Sequence, residues 1–146
     1  MAEELLKETY RIHGRDFDKA GETAAEIKQI LKGIGIDSNL IHRTVVIAFE
    51  AEMNVVMYAR RAVVRLSATP TSVKIEFQDD GPGIADVDLA LQEGWSTATP
   101  EMREMGFGAG MGLPNIRRNA DDFDISSEVG KGTHLIFTIH ADGNNG

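Results

Sequence analysis

No cysteine occurs among the 146 residues, which excludes disulfides and thiolate metal sites and points to a reducing compartment. No apolar run approaches the length of a membrane-spanning helix. The opening stretch MAEELLKETYRIHG lacks a basic segment followed by an apolar one, so no signal peptide is expected and the expected location is cytoplasmic. Basic residues are the minority: 15 Lys and Arg against 23 Asp and Glu, a formal net charge of -8. That balance argues against sequence-independent binding of nucleic acid, which relies on a basic surface. It leaves anionic ligands open, because backbone amides and helix N-termini bind phosphate with little side-chain charge. Two common phosphate-loop signatures are also missing. A dinucleotide fingerprint needs glycines at offsets zero, two and five, and the fifth offset from Gly106 is Met111, that from Gly108 is Leu113. A Walker A loop needs Gly-Lys followed by Ser or Thr, whereas the sole Gly-Lys pair, Gly130-Lys131, is followed by Gly132 and has Ile125 where the upstream glycine belongs.

What is present suits one ordinary globular domain, with 42% apolar and 26% charged residues. Residues 8–17 read as an edge strand. Ala20, Ala24, Ile27, Ile30 and Leu31 recur at helical spacing over 18–32, and Gly33 and Gly35 end that helix. Asp37 or Ser38 caps a second helix running to about Arg60, with Leu40, Ile41, Val45, Ala48, Phe49, Val56 and Met57 as its apolar stripe. Two strands, AVVRLSAT and SVKIEFQD, make a hairpin around Pro70 and Thr71. In the second, Val73, Ile75 and Phe77 alternate with Lys74, Glu76 and Gln78, which buries one face. A short helix, DVDLALQEG, precedes a loop that leads into a glycine cluster, GFGAGMGLPN. Residues 111–120 then form a helix in which Pro114 is tolerable only in the first turn. DFDISSEVG and GTHLIFTIHA close the chain as strands around Gly130 to Gly132. The order implies an α+β fold: a two-layer α/β sandwich with helices on one face of a mixed, largely antiparallel sheet. A single domain is expected over residues 1–141 (core 15–140), with a disordered tail at 142–146.

Three features carry chemistry. Glu50 and Asn54 lie four apart on the second helix and so share a face. An amide oxygen beside a carboxylate suits a hard cation such as Mg²⁺, and the carboxylate can accept a proton from a hydroxyl. An ordinary solvated Glu–Asn pair reads the same way. The stretch QDDGPGI ends a buried strand, where Asp79 can accept a hydrogen bond from an exocyclic amine and Gly81 and Gly83 allow a tight turn. A plain strand-ending turn uses the same residues. The glycine cluster stands immediately before a helix, whose N-terminus favours phosphate. A flexible loop with a glycine at the helix start is the alternative.

Together, in this order, they resemble the ATP-binding domain shared by gyrase, Hsp90, histidine kinases and MutL, the GHKL or Bergerat fold. Glu50 and Asn54 match its E-x-x-x-N box, and Asp79, Gly81 and Gly83 its D-x-G-x-G box. Gly108, Gly110 and Gly112 match the second glycine box beside the ATP lid, and Gly132-Thr133 the final Gly-Thr element. The segment from Gly94 to Thr133 looks most like the switch-kinase branch of the anti-sigma-factor serine/threonine kinases, although the stretch between Thr97 and Gly106 is longer. The resemblance implies ATP and Mg²⁺ as cofactors, Glu50 as general base and Asn54 as both nucleotide contact and Mg²⁺ ligand. It implies adenine binding by Asp79 with Thr133, close approach at Gly81 and Gly83, and a phosphate cradle at Gly108, Ala109, Gly110, Met111, Gly112 and Leu113. Gly106 would belong to the moving lid. Arg103, Arg117 and Arg118 either contact phosphates or are solvated charges. The implied partner is a STAS-type antagonist protein, with a sigma factor, a phosphatase or a second copy of the chain as further candidates. The implied activity is protein serine/threonine phosphorylation; the alternative is a non-catalytic, nucleotide-gated binding module. His13, His42, His134 and His140 are expected to be structural or surface residues.

Overall fold

The computed structural model describes residues 4–81, 83 and 112–141. Five strands form one sheet: β1 (Leu6–His13), β2 (Arg61–Thr69), β3 (Ser72–Asp79), β4 (Asp122–Glu128) and β5 (Gly132–His140), in the spatial order β1-β2-β3-β5-β4. All four ladders are antiparallel. The sheet expected to be mixed is therefore antiparallel throughout its described pairings. Strand β1 is at an edge, as its weak alternation suggested. The hairpin turn at Pro70 and Thr71 is tight, and the Thr69 and Ser72 hydroxyls, 2.8 Å apart, close it.

Helices α1 (Glu22–Gly33), α2 (Ser38–Tyr58) and α3 (Gly112–Asn119) accompany the sheet. Period-two alternation decides the sheet face they cover. Val73, Ile75 and Phe77 of β3 and Leu135, Phe137 and Ile139 of β5 are buried, while Lys74, Gln78 and His140 are exposed. Phe77 and Phe137 stack with ring centroids 5.9 Å apart, a geometry worth about 0.5–1.5 kcal/mol beyond area burial. Helix α2 is the spine of the helical layer. It touches α1, α3 and four strands, and it buries Leu40, Ile47, Ala48, Ala51, Val55 and Val56.

Local chemistry explains the helix ends. The Asp37 carboxylate accepts from the N–H groups of Asn39 (3.0 Å) and Leu40 (3.4 Å), an N-cap contributing about 1 kcal/mol. Helix α1 begins later than its apolar spacing predicts: residues Phe17–Lys19 make a single 3₁₀ turn, and Ala20 lies before the helix. No side chain caps α1 locally. Its first N–H groups are met instead by Glu52 of α2, which accepts from Gly21 (3.0 Å), Thr23 (3.2 Å) and Ala24 (2.9 Å). Phe49, expected in the apolar stripe, is 45% exposed, and its ring lies over Gly21 rather than in the core. The helix expected at DVDLALQEG and the tail at 142–146 lie outside the described residues.

Candidate functional site

Register brings four inward side chains into one row across the end of the sheet. Ala62 of β2 pairs with Asp79 of β3, and Thr133 of β5 pairs with Ser127 of β4. The backbone N–H of Thr133 joins the two halves by donating to Asp79 Oδ1 at 3.1 Å. The next row inward is apolar: Val64, Phe77, Leu135 and Ile125. Asp79, Thr133 and Ser127, with Ala62, thus border an apolar row of the sheet.

Two adjacent aspartates end β3 and do different work. Asp79 continues the inward set, and its Oδ1 accepts from both Gly81 (2.8 Å) and Thr133. Its Oδ2 takes no hydrogen bond among the described residues. Burial pushes the Asp79 carboxyl above its ordinary value, opposed by those two N–H groups and assisted by the neighbouring Asp80 charge. Asp80 turns away and accepts from the N–H groups of Arg60 (3.1 Å) and Arg61 (2.9 Å), closing the turn between α2 and β2. Against a burial penalty, these bonds and the two arginine charges hold Asp80 below its ordinary value. The glycines are sterically required. Gly132 has φ +133, and a Cβ there would collide with the Asp79 carbonyl. Gly83 has φ +80, and its Cβ would strike the Glu128 carbonyl, so the turn after β3 packs directly on the end of β4.

Glu50 and Asn54 are half-buried on α2, one turn apart. Glu50 faces α3: Asn115 Nδ2 donates to Glu50 Oε2 at 2.6 Å, and Arg118 Nη1 donates to Asn115 Oδ1 at 3.0 Å. The amide is oriented by this chain of donors, since only its nitrogen can donate to the carboxylate and only its oxygen can accept from the guanidinium. The other end of α3 is tied to the same helix. Arg43 Nε and Nη2 donate to the Asn119 carbonyl at 3.2 and 3.0 Å, Nη1 donates to the His140 carbonyl at 3.1 Å, and Nη2 lies 3.1 Å from Asp121. A cation at a helix C-terminus is favoured by the helix dipole. Glu52 is about 200° around the helix from Glu50, so the two carboxylates serve opposite faces. Glu52 is 2% exposed; burial pushes its carboxyl up against the three N–H bonds of α1.

Asp79, Gly81, Gly83 and Thr133 therefore converge at one end of the sheet. Gly112 and Leu113 open α3, and Pro114 is its third residue, inside the first turn as required. Gly108, Ala109, Gly110 and Met111 lie outside the described residues, as do Gly106 and Arg103. Arg117 is exposed, and Arg118 serves Asn115. His13, His42 and His140 are at the surface, and His134 pairs with Glu76 on the outer sheet face. Asn115 and Ser127 were not singled out in the sequence. Each carried a signal: an Asn inside a helix, and a Ser in the inward series Phe123, Ile125, Ser127.

Residues 36–143 match the family described as histidine kinase-, DNA gyrase B-, and HSP90-like ATPase. The serine/threonine-protein kinase RsbT of Bacillus subtilis is 30% identical over 90 residues, covering 59% of this chain and 62% of that protein. An anti-sigma F factor of Caldanaerobacter subterraneus subsp. tengcongensis is 28% identical over 116 residues, 80% of this chain and 71% of its own length. Another anti-sigma F factor, from Thermoanaerobacter sp., is 35% identical over 66 residues, covering 45% of this chain and 43% of that protein. The matched region contains α2, the Asp79 turn, α3 and the Gly132-Thr133 corner, and the chain belongs to the family of histidine kinase-, DNA gyrase B- and HSP90-like ATPases.

Proposed function

We propose that this chain is an ATP-dependent protein serine/threonine kinase of a cytoplasmic partner-switching system, acting on a STAS-type antagonist protein. The observation that carries the reading is the Glu50 carboxylate, held by Asn115 at the start of α3, one turn from Asn54. The names of the relatives, a serine/threonine kinase and anti-sigma F factors, support the same reading.

ATP fits the residues present. The open Oδ2 of Asp79 is suited to an exocyclic amine, and the base would lie on the apolar row beneath it. The phosphates would run toward the N-terminus of α3. Mg²⁺ fits as well, since Mg²⁺ bound with ATP needs few protein groups and Asn54 is half-buried one turn from Glu50. Asn54 would supply an amide oxygen. When bound, Mg²⁺ neutralises charge on the phosphates and fixes their geometry. Glu50 would take the proton of the substrate hydroxyl as its oxygen bonds to the γ-phosphorus; the bond to the β-phosphate oxygen breaks and ADP leaves.

The test is incubation of the purified chain with radiolabelled ATP, Mg²⁺ and a STAS-domain protein shown to bind it. Label on a serine or threonine of the partner is expected. A bound partner that remains unlabelled would overturn the kinase reading. Should Glu50→Ala leave ATP-dependent capture of the partner unchanged while wild type transfers no label, the chain is a nucleotide-gated binding module.

A further inference from the structure

Helices α2 and α3 run antiparallel: Glu50 meets Asn115 near the start of α3, while Arg43, two turns earlier on α2, meets Asn119 at its end. Of the side chains described on α3, Ile116 is the buried one, and a rod held at a single point can still tilt. The Asn115–Glu50 contact joins two rotatable side chains, so it aims the carboxylate without holding the frame of the helix. Arg43 grips backbone instead. Its Nε and Nη2 converge on the Asn119 carbonyl, and Nη1 reaches the His140 carbonyl at the end of β5. The guanidinium is itself held, since Nη2 lies 3.1 Å from Asp121 Oδ2 and that oxygen accepts the His140 N–H at 2.6 Å. Against a burial penalty, this N–H and Arg43 hold the Asp121 carboxyl below its ordinary value. The Arg43 side chain is 17% exposed, unlike the fully solvated pairs that contribute little. A planar guanidinium can make these bonds together, whereas an ammonium cannot.

We infer that Arg43 is a positioning residue: by fixing the C-terminal end of α3 to the end of β5, it sets where the N-terminal amides of α3 stand, and so governs binding of a nucleotide's phosphates without touching them. The inference rests on the reading of the α3 N-terminus as the phosphate end of a nucleotide site. Eight helical residues span about 12 Å, so Arg43 acts on one end of this rod from the other. Strand β5 has its Thr133 end beside Asp79 and its His140 end beside Arg43, a separation of about 23 Å along the strand. Arg43 is therefore too far from the proposed base contact to act on it directly. Its route to the ligand is the helix. Terminal N–H groups and the helix dipole act over short range, so a tilt that displaces them removes their attraction for phosphate. The base end, built on β3 and β5, does not depend on the direction of α3.

Adenosine and ATP, which share the base and differ in the phosphates, are the probes, with dissociation constants measured by calorimetry in Mg²⁺ buffer. Wild type is expected to bind ATP at least about a hundredfold more tightly than adenosine, the worth of about two charge-assisted hydrogen bonds. Arg43→Met should narrow that preference by about tenfold through weaker ATP binding, with adenosine affinity within about twofold of wild type. Arg43→Lys keeps a charge near the end of α3 but loses the planar set of donors, and should narrow it by about threefold. A merely structural role would weaken both ligands together or neither, leaving the ratio at its wild-type value, and that result would overturn the inference. Where the methionine variant does not fold, the lysine variant carries the same test, and a wild-type ratio in the folded Arg43→Lys protein would overturn it. Wild type that binds neither ligand, with its fold intact, would defeat the nucleotide-site reading and the inference with it. Wild type that binds adenosine as tightly as ATP would remove the phosphates from α3. Both results are distinct from a large wild-type preference that Arg43→Met leaves unchanged.

Discussion

Asn115 donates its amide N–H to the Glu50 carboxylate at 2.6 Å, linking the first turn of α3 to the middle of α2. A base used in phosphoryl transfer has to be aimed, since the protein contributes mainly positioning and electrostatics. One oxygen of Glu50 is fixed by Asn115, and the amide is fixed in turn by Arg118.

Glu50→Gln should therefore lower the rate of phosphoryl transfer to a protein partner by at least about a hundredfold. Its ATP affinity should stay within about threefold of wild type, because a base need not bind the ground state. Asn115→Leu should lower the rate by about tenfold through misaiming, again with little change in ATP affinity. Initial rates of label transfer at saturating ATP, paired with calorimetric ATP titrations, separate the two quantities. An Asn115→Leu protein with the wild-type rate would show that the contact does not serve Glu50.

Glu52 should behave in the opposite way, although it is only two residues from Glu50. It accepts three N–H groups at the start of α1 and is almost wholly buried. Glu52→Ala strands those donors, each a loss of about 1–3 kcal/mol, so the fold should lose at least about 3 kcal/mol. Urea denaturation should find a lower midpoint with an unchanged slope. Glu52→Gln, which keeps one acceptor oxygen, should lose less. Stability equal to wild type in the alanine variant would show that water replaces the carboxylate there.

The contrast between these glutamates marks what the sequence could reveal. Alternation in β3 places Asp79 with Val73, Ile75 and Phe77, so the inward aspartate of an Asp-Asp pair could be chosen before any coordinates. The Asp37 cap and the Pro70–Thr71 hairpin were legible for the same reason: their physics is contained within a few residues. The start of α1 was not, because its capping group is supplied from 28 to 31 residues away. Helical spacing alone carried the expected boundary through Ala20, while the actual boundary depends on Glu52. Phe49 was misplaced by the same logic, since periodicity along a 21-residue helix does not say that a glycine of another element will sit beneath the ring. The Asn115–Glu50 and Ser127–Thr133 pairs join separate elements, and local pattern could flag their members without pairing them.

Gly132 and Gly33 offer a matched test of backbone constraint. At Gly132, φ is +133 and a Cβ would meet the Asp79 carbonyl; at Gly33, the last residue of α1, nothing lies within 4 Å. Gly132→Ala should destabilise the chain by at least about 2 kcal/mol and, on the proposed function, weaken nucleotide binding, because the colliding carbonyl belongs to Asp79, the proposed base contact. Gly33→Ala should be neutral or stabilising by up to about 1 kcal/mol. Thermal melts of the two variants side by side check this, and a Gly132→Ala melt matching wild type would contradict the steric reading.

Asp79→Asn should separate stability from binding, with a sign that depends on pH. Burial raises the Asp79 carboxyl, so the folded chain holds this proton more tightly than the unfolded chain does. Where the folded chain binds more protons, stability falls as pH rises, and the loss is complete once pH exceeds the folded value. At neutral pH the charged carboxylate is therefore carried at a cost. Asparagine removes the charge while its Oδ1 still accepts from Gly81 and Thr133. The variant should melt higher than wild type at neutral pH, and the gap should shrink as pH falls through the raised folded value and be gone below the ordinary carboxylate value. ATP affinity should fall by at least about tenfold, because the new amide N–H₂ replaces an acceptor and faces the amine of the base. Melting curves at several pH values and a calorimetric ATP titration check both halves. A variant that melts higher but binds ATP as tightly as wild type would remove Asp79 from the base pocket, and one that melts lower at neutral pH would show that its charge is paired in the folded chain.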